Sequence, residues 1–378
     1  MPEDNQDHKP VLHIGYLDSV RGILATIVVI YHFLNWDYHA RTKVKIVNFV
    51  FNGADAVGFF FVLSGFVLAY KYLALKHEMD IGKFYINRFF RLWPAFFLTV
   101  VINALYHVSL HLELSWNTLF EIFILNKHRF WQEAALVRSV PFVYYVPGWT
   151  LVIEMIMSLF IPFAVIIGHK NKNYMWWLAG FFALATPGLL GMGAFLTNFV
   201  YGALVAAFYT AISGGEFRNT RLYKFRYLIL LLGIICYSMR PLEKMFQLGS
   251  FYDEFIFGYL GYNVDYFSGF GSLIMLVFII QSRRIQKVLE LGILRFLGKL
   301  SYGIYLMHWL VVTWIFNNKG MLFSYFPGEK VAIPCLLVGC IVVTILMALP
   351  VYYFVELPFI RLGKRLTGKM RPTVMVQP

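Results

Sequence analysis

Charge is scarce in this chain of 378 residues: Asp, Glu, Lys and Arg together make 14%, against about a quarter in soluble domains. Cysteine is nearly absent. The three present, at 236, 335 and 340, lie inside apolar runs, with no CxxC and no Cys/His pairing at zinc spacing. They are expected to be free thiols. There is no long polar linker, low-complexity tract or clear internal repeat, and no ten-residue alternation of the kind that marks a membrane barrel. Residues 1–14 are polar and charged, and no small-residue cleavage site follows the first apolar run. That run is therefore expected to stay as a membrane helix rather than be removed as a leader.

What the chain has in excess is apolar and aromatic surface. It is 59% hydrophobic and 19% aromatic, with a mean hydropathy of +0.64. Such a composition suits lipid-facing walls and interfacial belts and leads us to expect an all-α polytopic membrane bundle. Stretches of suitable apolarity fall at about 17–36, 49–70, 92–110, 149–168, 174–190, 194–211, 227–237, 264–281, 300–316 and 331–355, which predicts about ten transmembrane helices. With the N-terminus inside, 22 of the 33 Lys and Arg fall in inside segments and 10 in outside loops. Both termini are expected to be cytoplasmic. The net charge of +13 follows mostly from this bias and calls for no nucleic-acid partner.

Ionisable groups inside such helices are costly, and the first span carries three: Asp18, Arg21 and His32. Eleven residues at 100° each bring Arg21 and His32 to one helix face, about 16 Å apart along the axis. Asp18 is one turn before Arg21. The stripe is open to two readings: an interfacial pair with a histidine reaching for the outer surface, or the lining of a path across the bilayer. Glu154, in WTLVIEM, is expected about 8 Å below the outer edge, level with His32 and able to orient it; an outer arginine such as Arg129 or Arg138 is the competing partner. His308, near mid-bilayer, shares part of its stripe with Tyr302 and Tyr305 and is expected to be structural or cavity-lining. Arg88 and Arg91, just inside the third span, are suited to phosphate or to an ion pair with Glu356. Ser64-Gly65 would allow close helix approach. His107 and His111 have metal spacing but no third ligand, so no metal site is expected. The aromatic stretches at 111–148 and 257–271 suit an interface as well as a sugar platform.

These residues also form a series. Arg21 and His32 at Arg-x10-His, FFxxSG (Phe60, Phe61, Ser64, Gly65), RxxR (Arg88, Arg91), WxLxxE (Trp149, Leu151, Glu154), SYxxYLxH (Ser301, Tyr302, Tyr305, Leu306, His308) and a closing ExP (Glu356, Pro358) run in order over nearly the whole chain. In this the sequence resembles the acyltransferase 3 family of integral membrane O-acyltransferases. The resemblance implies acetyl-CoA or another acyl-CoA as a cytoplasmic donor substrate, with no tightly bound cofactor. It implies a hydroxyl acceptor on a surface or secreted glycan or a lipid-linked saccharide, in a bacterial inner membrane. It implies His32 and Arg21 as essential residues. The expected roles are then catalysis for His32 and Glu154, donor binding for Arg21, Arg88, Arg91 and Ser64, and cavity lining for Asp18, Tyr302, Tyr305 and His308. Residues 1–14 and 361–378 are expected to be cytoplasmic tails around a membrane domain at 15–360, without the SGNH-type hydrolase domain some relatives append. Acylation of a non-glycan small molecule is one alternative. A proton-coupled transporter or flippase is another, since buried Arg, His and Glu serve that chemistry too.

Overall fold

The computed structural model describes residues 14–36, 50–111, 115–125, 130–136, 142–185, 193–246, 264–370 and 375–376. Its longer helices are α1 (Gly15–Trp36), α2 (Gly53–Leu73), α3 (Ile81–His111), α4 (Trp149–Lys170), α5 (Tyr174–Ala185), α6 (Gly193–Ala207), α7 (Arg226–Tyr237), α8 (Met239–Phe246), α9 (Val264–Gln281), α10 (Gly292–Asn317), α11 (Glu329–Pro350) and α12 (Leu357–Lys369). Among the described residues, strand is confined to β1 (Met79–Asp80) paired antiparallel with β2 (Met375–Val376). The protein is an all-α membrane bundle, the only open architecture that satisfies its backbone groups in lipid.

The described residues of each expected apolar stretch fall mainly on helix, but a count of ten crossings does not follow from them. Among the described residues, five helices are long and apolar enough to span, or six if α9 and the helix Arg283–Leu289, bent by 93°, form one broken span. Helices α5, α6 and α7 are apolar but shorter, at 12, 15 and 12 residues. Helix α3 is 31 residues long and starts at Ile81, through Pro94, so Arg88 and Arg91 lie inside a helix and not before one. Helix α11 continues through π-helical Val351–Glu356 into α12. Residues 361–369, expected as tail, prolong that helix, and Thr367 meets Asn87 of α3.

Lipid offers no hydrophobic drive between helices, so close packing carries the bundle. A Cβ on Gly22 of α1 would lie 2.6 Å from the Gly298 backbone of α10, and one on Gly65 of α2 would lie 2.0 Å from the Phe199 carbonyl of α6. Only glycine permits these backbone contacts, which gives Ser64-Gly65 the packing role its sequence suggested. Contacts at matched positions also set direction. Gly22 meets Gly298 and His32 meets His308, so α1 and α10 run parallel. Tyr302 meets Leu92 and Asn317 meets Tyr106, so α3 runs with them. Gly53 of α2 abuts Tyr31 near the end of α1, so α2 runs the other way. At that end Arg240 of α8 pairs with buried Asp55 of α2 at 3.5 Å and with Asp265 of α9.

Gly65→Ala is expected to lower stability by about 1–3 kcal/mol through overpacking. Gly292→Ala, whose Cβ meets nothing within 4 Å, should leave it nearly unchanged. Thermal unfolding in detergent compares the two.

Candidate active site

The site is built around a chain segment that enters the bundle before α4. Glu133, buried on the short helix Phe130–Ala134, accepts the backbone N–H groups of Val143, Tyr144 and Tyr145 at 2.8, 3.1 and 2.5 Å. Burial raises its carboxyl above the ordinary carboxylate range, while these three donors pull the other way. Tyr145, wholly buried, donates its hydroxyl to the Tyr305 carbonyl of α10 at 2.7 Å. The hydroxyls of Thr150 and Tyr305 lie 2.6 Å apart. Tyr305 is midway along α10, so α4 begins deep in the bundle and not at its outer edge.

That start overturns the expected partnership of Glu154 with His32. Glu154 is one turn past Thr150 on a helix antiparallel to α10, which brings it level with Ser301 and Tyr302. His32 is level with His308, seven residues further along α10, or about 10 Å at 1.5 Å per residue. Glu154 is instead ion-paired with Arg88 of α3 and accepts the Ser64 hydroxyl of α2 at 3.2 Å. Arg88 also donates through Nε to Ser158 of α4 at 3.0 Å. The competing partners Arg129 and Arg138 lie outside the described residues. Thus Arg88, expected to be free for donor phosphate, is the counter-ion of Glu154. A buried carboxylate needs such a partner.

Beside this pair lies a cavity lined among others by Arg21, Ser64, Arg91, Glu154, Tyr302 and Tyr305. Two larger clefts, of about 1430 and 1150 Å³, adjoin it, and Arg21 and Arg91 line all three. Arg21 also faces Asp18 at 3.9 Å, and Asp18 lines the larger cleft. Among the described residues no carboxylate pairs with Arg91. Lys71, Arg295, Lys299 and Lys364 add charge to the larger cleft, and buried Glu356 joins its lining. The Tyr302 hydroxyl is committed to the Leu92 carbonyl at 2.7 Å. Tyr305 closes the far end of the cavity, with Phe60 packed on its ring at 6.3 Å between centroids.

The two histidines lie beyond that end. His32 packs against His308, Trp309 and Tyr31 at centroid distances of 5.2, 5.5 and 5.4 Å. His308, expected to line the cavity, is fully buried behind Tyr305. His107 rests on the Tyr144 ring; the side chain of His111 and residues 257–263 lie outside the described residues. Glu133, Tyr145, Thr150 and Ser158 were not foreseen, and no spacing in the sequence marks a carboxylate that will collect three backbone donors ten residues away.

Four separated motifs, FFxxSG, RxxR, WxLxxE and SYxxYLxH, therefore contribute side chains to one cavity with Arg21 at its mouth. A profile of the acyltransferase domain matches residues 14–353. The chain belongs to the acyltransferase 3 family. It is similar to a protein named as an acetyltransferase from Acidianus two-tailed virus, at 25% identity over 78% of this chain and 82% of that one. It is also similar to the O-acetyltransferase PaAT-1 of Phomopsis amygdali, at 30% identity over 20% of this chain and 18% of that one. No solved structure matches. This acyltransferase 3 protein is an integral membrane acyltransferase, and the cavity formed by its motifs is the candidate active site.

Replacing one member of the Arg88–Glu154 pair strands the other charge, so Arg88→Ala is expected to cost about 3–5 kcal/mol. Arg88→Met combined with Glu154→Met should recover most of that stability while acyl transfer stays low. Unfolding and transfer assays on the same preparations separate the two effects.

Proposed function

We propose that the protein transfers an acetyl group from acetyl-CoA to a sugar hydroxyl of a surface or secreted glycan or its lipid-linked precursor. The observation that carries the reading is the polarity of one face of α1. Arg21 and Arg91 stand where three clefts meet, and His32 stands three turns further, beyond the cavity. The acetyl group is supported by the names of the two relatives.

In this reading the donor's phosphates rest against Arg21 and Arg91, with the lysines of the larger cleft around the nucleotide. Arg88 holds Glu154 and so shapes the cavity floor. The pantetheine arm follows the cavity past Ser64 and Tyr302, and the thioester lies at the level of Tyr305 and His32. The acceptor arrives from the opposite face. His32 takes the proton of its hydroxyl as the oxygen attacks the thioester carbonyl carbon. The carbon–sulfur bond then breaks, and His32 returns the proton to the departing thiolate. A histidine suits this role because one ring nitrogen accepts a proton near neutral pH. The membrane is inferred to be a bacterial inner membrane with both termini on the donor side. There acyl-CoA and envelope glycan precursors occupy opposite faces.

His32→Ala is expected to lower transfer from labelled acetyl-CoA by about 10²- to 10⁴-fold, the usual contribution of a general base. Donor protection against thermal unfolding should be retained. Mass spectrometry of the glycan with and without the protein identifies the acetylated sugar. Normal acetylation by the His32→Ala protein would exclude this mechanism.

A further inference from the structure

With Glu154 committed to Arg88, His32 has a different neighbour. His308 Nδ1 lies 2.5 Å from the Tyr305 carbonyl oxygen. A carbonyl can only accept, so Nδ1 carries the proton and, in the neutral ring, Nε2 carries a lone pair. The His308 side chain is fully buried, and Nε2 has no hydrogen-bond partner among the described residues. Such an atom is costly unless something completes it. The His308 ring packs against the ring of His32, 5.2 Å away between centroids and tilted by 31°.

We propose that His308 is the positioning residue of the site: its Nε2 accepts the ring N–H of His32. The proposal rests on the reading of His32 as general base. This hydrogen bond fixes the tautomer of His32 and turns its other nitrogen, with its lone pair, toward the acceptor hydroxyl. Catalytic hydrogen bonds are often long before substrate binds and tighten in the complex, so the ring contact is the resting form of the pair. When His32 gains the acceptor's proton, the same bond shares the positive charge with a buried neutral ring. No proton leaves the pair, because His32 returns it to the thiolate.

The positioning group is itself held from outside the cavity. The Tyr305 carbonyl that orients His308 also accepts the Tyr145 hydroxyl at 2.7 Å, and Tyr145 is anchored through its backbone N–H to Glu133. Tyr305 lies inside α10, so these two side-chain donors gather at a carbonyl that the helix already holds in place. The segment that enters before α4 thus fixes the tautomer of His308, which fixes that of His32.

Two variants separate orientation from packing. The amide of Asn reaches the place of Nδ1 and keeps a donor for the Tyr305 carbonyl, but it offers no acceptor at Nε2. The amide of Gln places an oxygen acceptor near Nε2. His308→Asn is expected to lower kcat by roughly 10- to 100-fold, part of the general-base contribution, with KM for acetyl-CoA unchanged. His308→Gln should stay close to wild type. Turnover of His308→Asn at the wild-type rate, or equal losses in both variants, would overturn the proposal. Nitrogen-15 spectra of the histidine-labelled wild-type protein provide a reading that does not depend on a variant folding. A His308 ring protonated at Nδ1 agrees with the proposal, and one protonated at Nε2 contradicts it. His32→Ala is measured beside them. If that variant remains active, the base assignment itself fails; if it is inactive while His308→Asn is normal, only the role of His308 fails.

Discussion

A carboxylate in an apolar bundle must be neutralised or paired, and the structure depends on how Glu154 meets that demand. Its partner Arg88 comes from α3, a hydroxyl comes from Ser64 of α2, and Arg88 reaches back to Ser158 of α4. Three helices are therefore joined at one point by groups that cannot separate without stranding a charge. The cavity lies beside the pair, and Arg88 and Glu154 are among the residues that line it. Arg21 and Arg91, at its mouth, make the surrounding potential positive.

The fold class was legible from composition alone. Apolar helices that cross the bilayer, the polar stripe on the first of them and the parallel placing of the first and ninth apolar stretches follow from patterns that lipid enforces. Motif membership was legible too: Phe60, Ser64, Arg91, Glu154, Tyr302 and Tyr305 all reach one cavity. Depth was not. Counting residues from the apparent outer end of α4 put Glu154 beside His32, because the count assumed that the helix begins at the surface. It begins inside, beside Tyr305, because Glu133 draws residues 143–145 inward through three backbone hydrogen bonds. Hydropathy reports which residues tolerate lipid, but not where a helix starts along the membrane normal. Hydropathy also does not fix the crossing number, since short apolar helices such as α7 carry the right residues over only 12 residues.

The site thus divides by depth. Its lower part is ionic and holds charge in place. Its middle is made of hydroxyls already engaged, Tyr302 with the Leu92 carbonyl and Tyr305 with the Thr150 hydroxyl. Its upper part is two imidazoles on α1 and α10, whose spacing is set where Gly22 and Gly298 bring the two backbones together. The Arg88–Glu154 pair lies about two turns from the imidazoles along the bundle.

The central claim is that one path along α1 links a donor end at Arg21 to a reacting end at His32. A structure of the full chain with a non-hydrolysable acetyl-CoA analogue tests it most directly. The account predicts the analogue's phosphates within hydrogen-bond reach of Arg21 and Arg91, and its acyl carbonyl between Tyr305 and His32. An analogue bound with its phosphates at the Arg240 end of the bundle, or with its acyl group remote from His32, would contradict it.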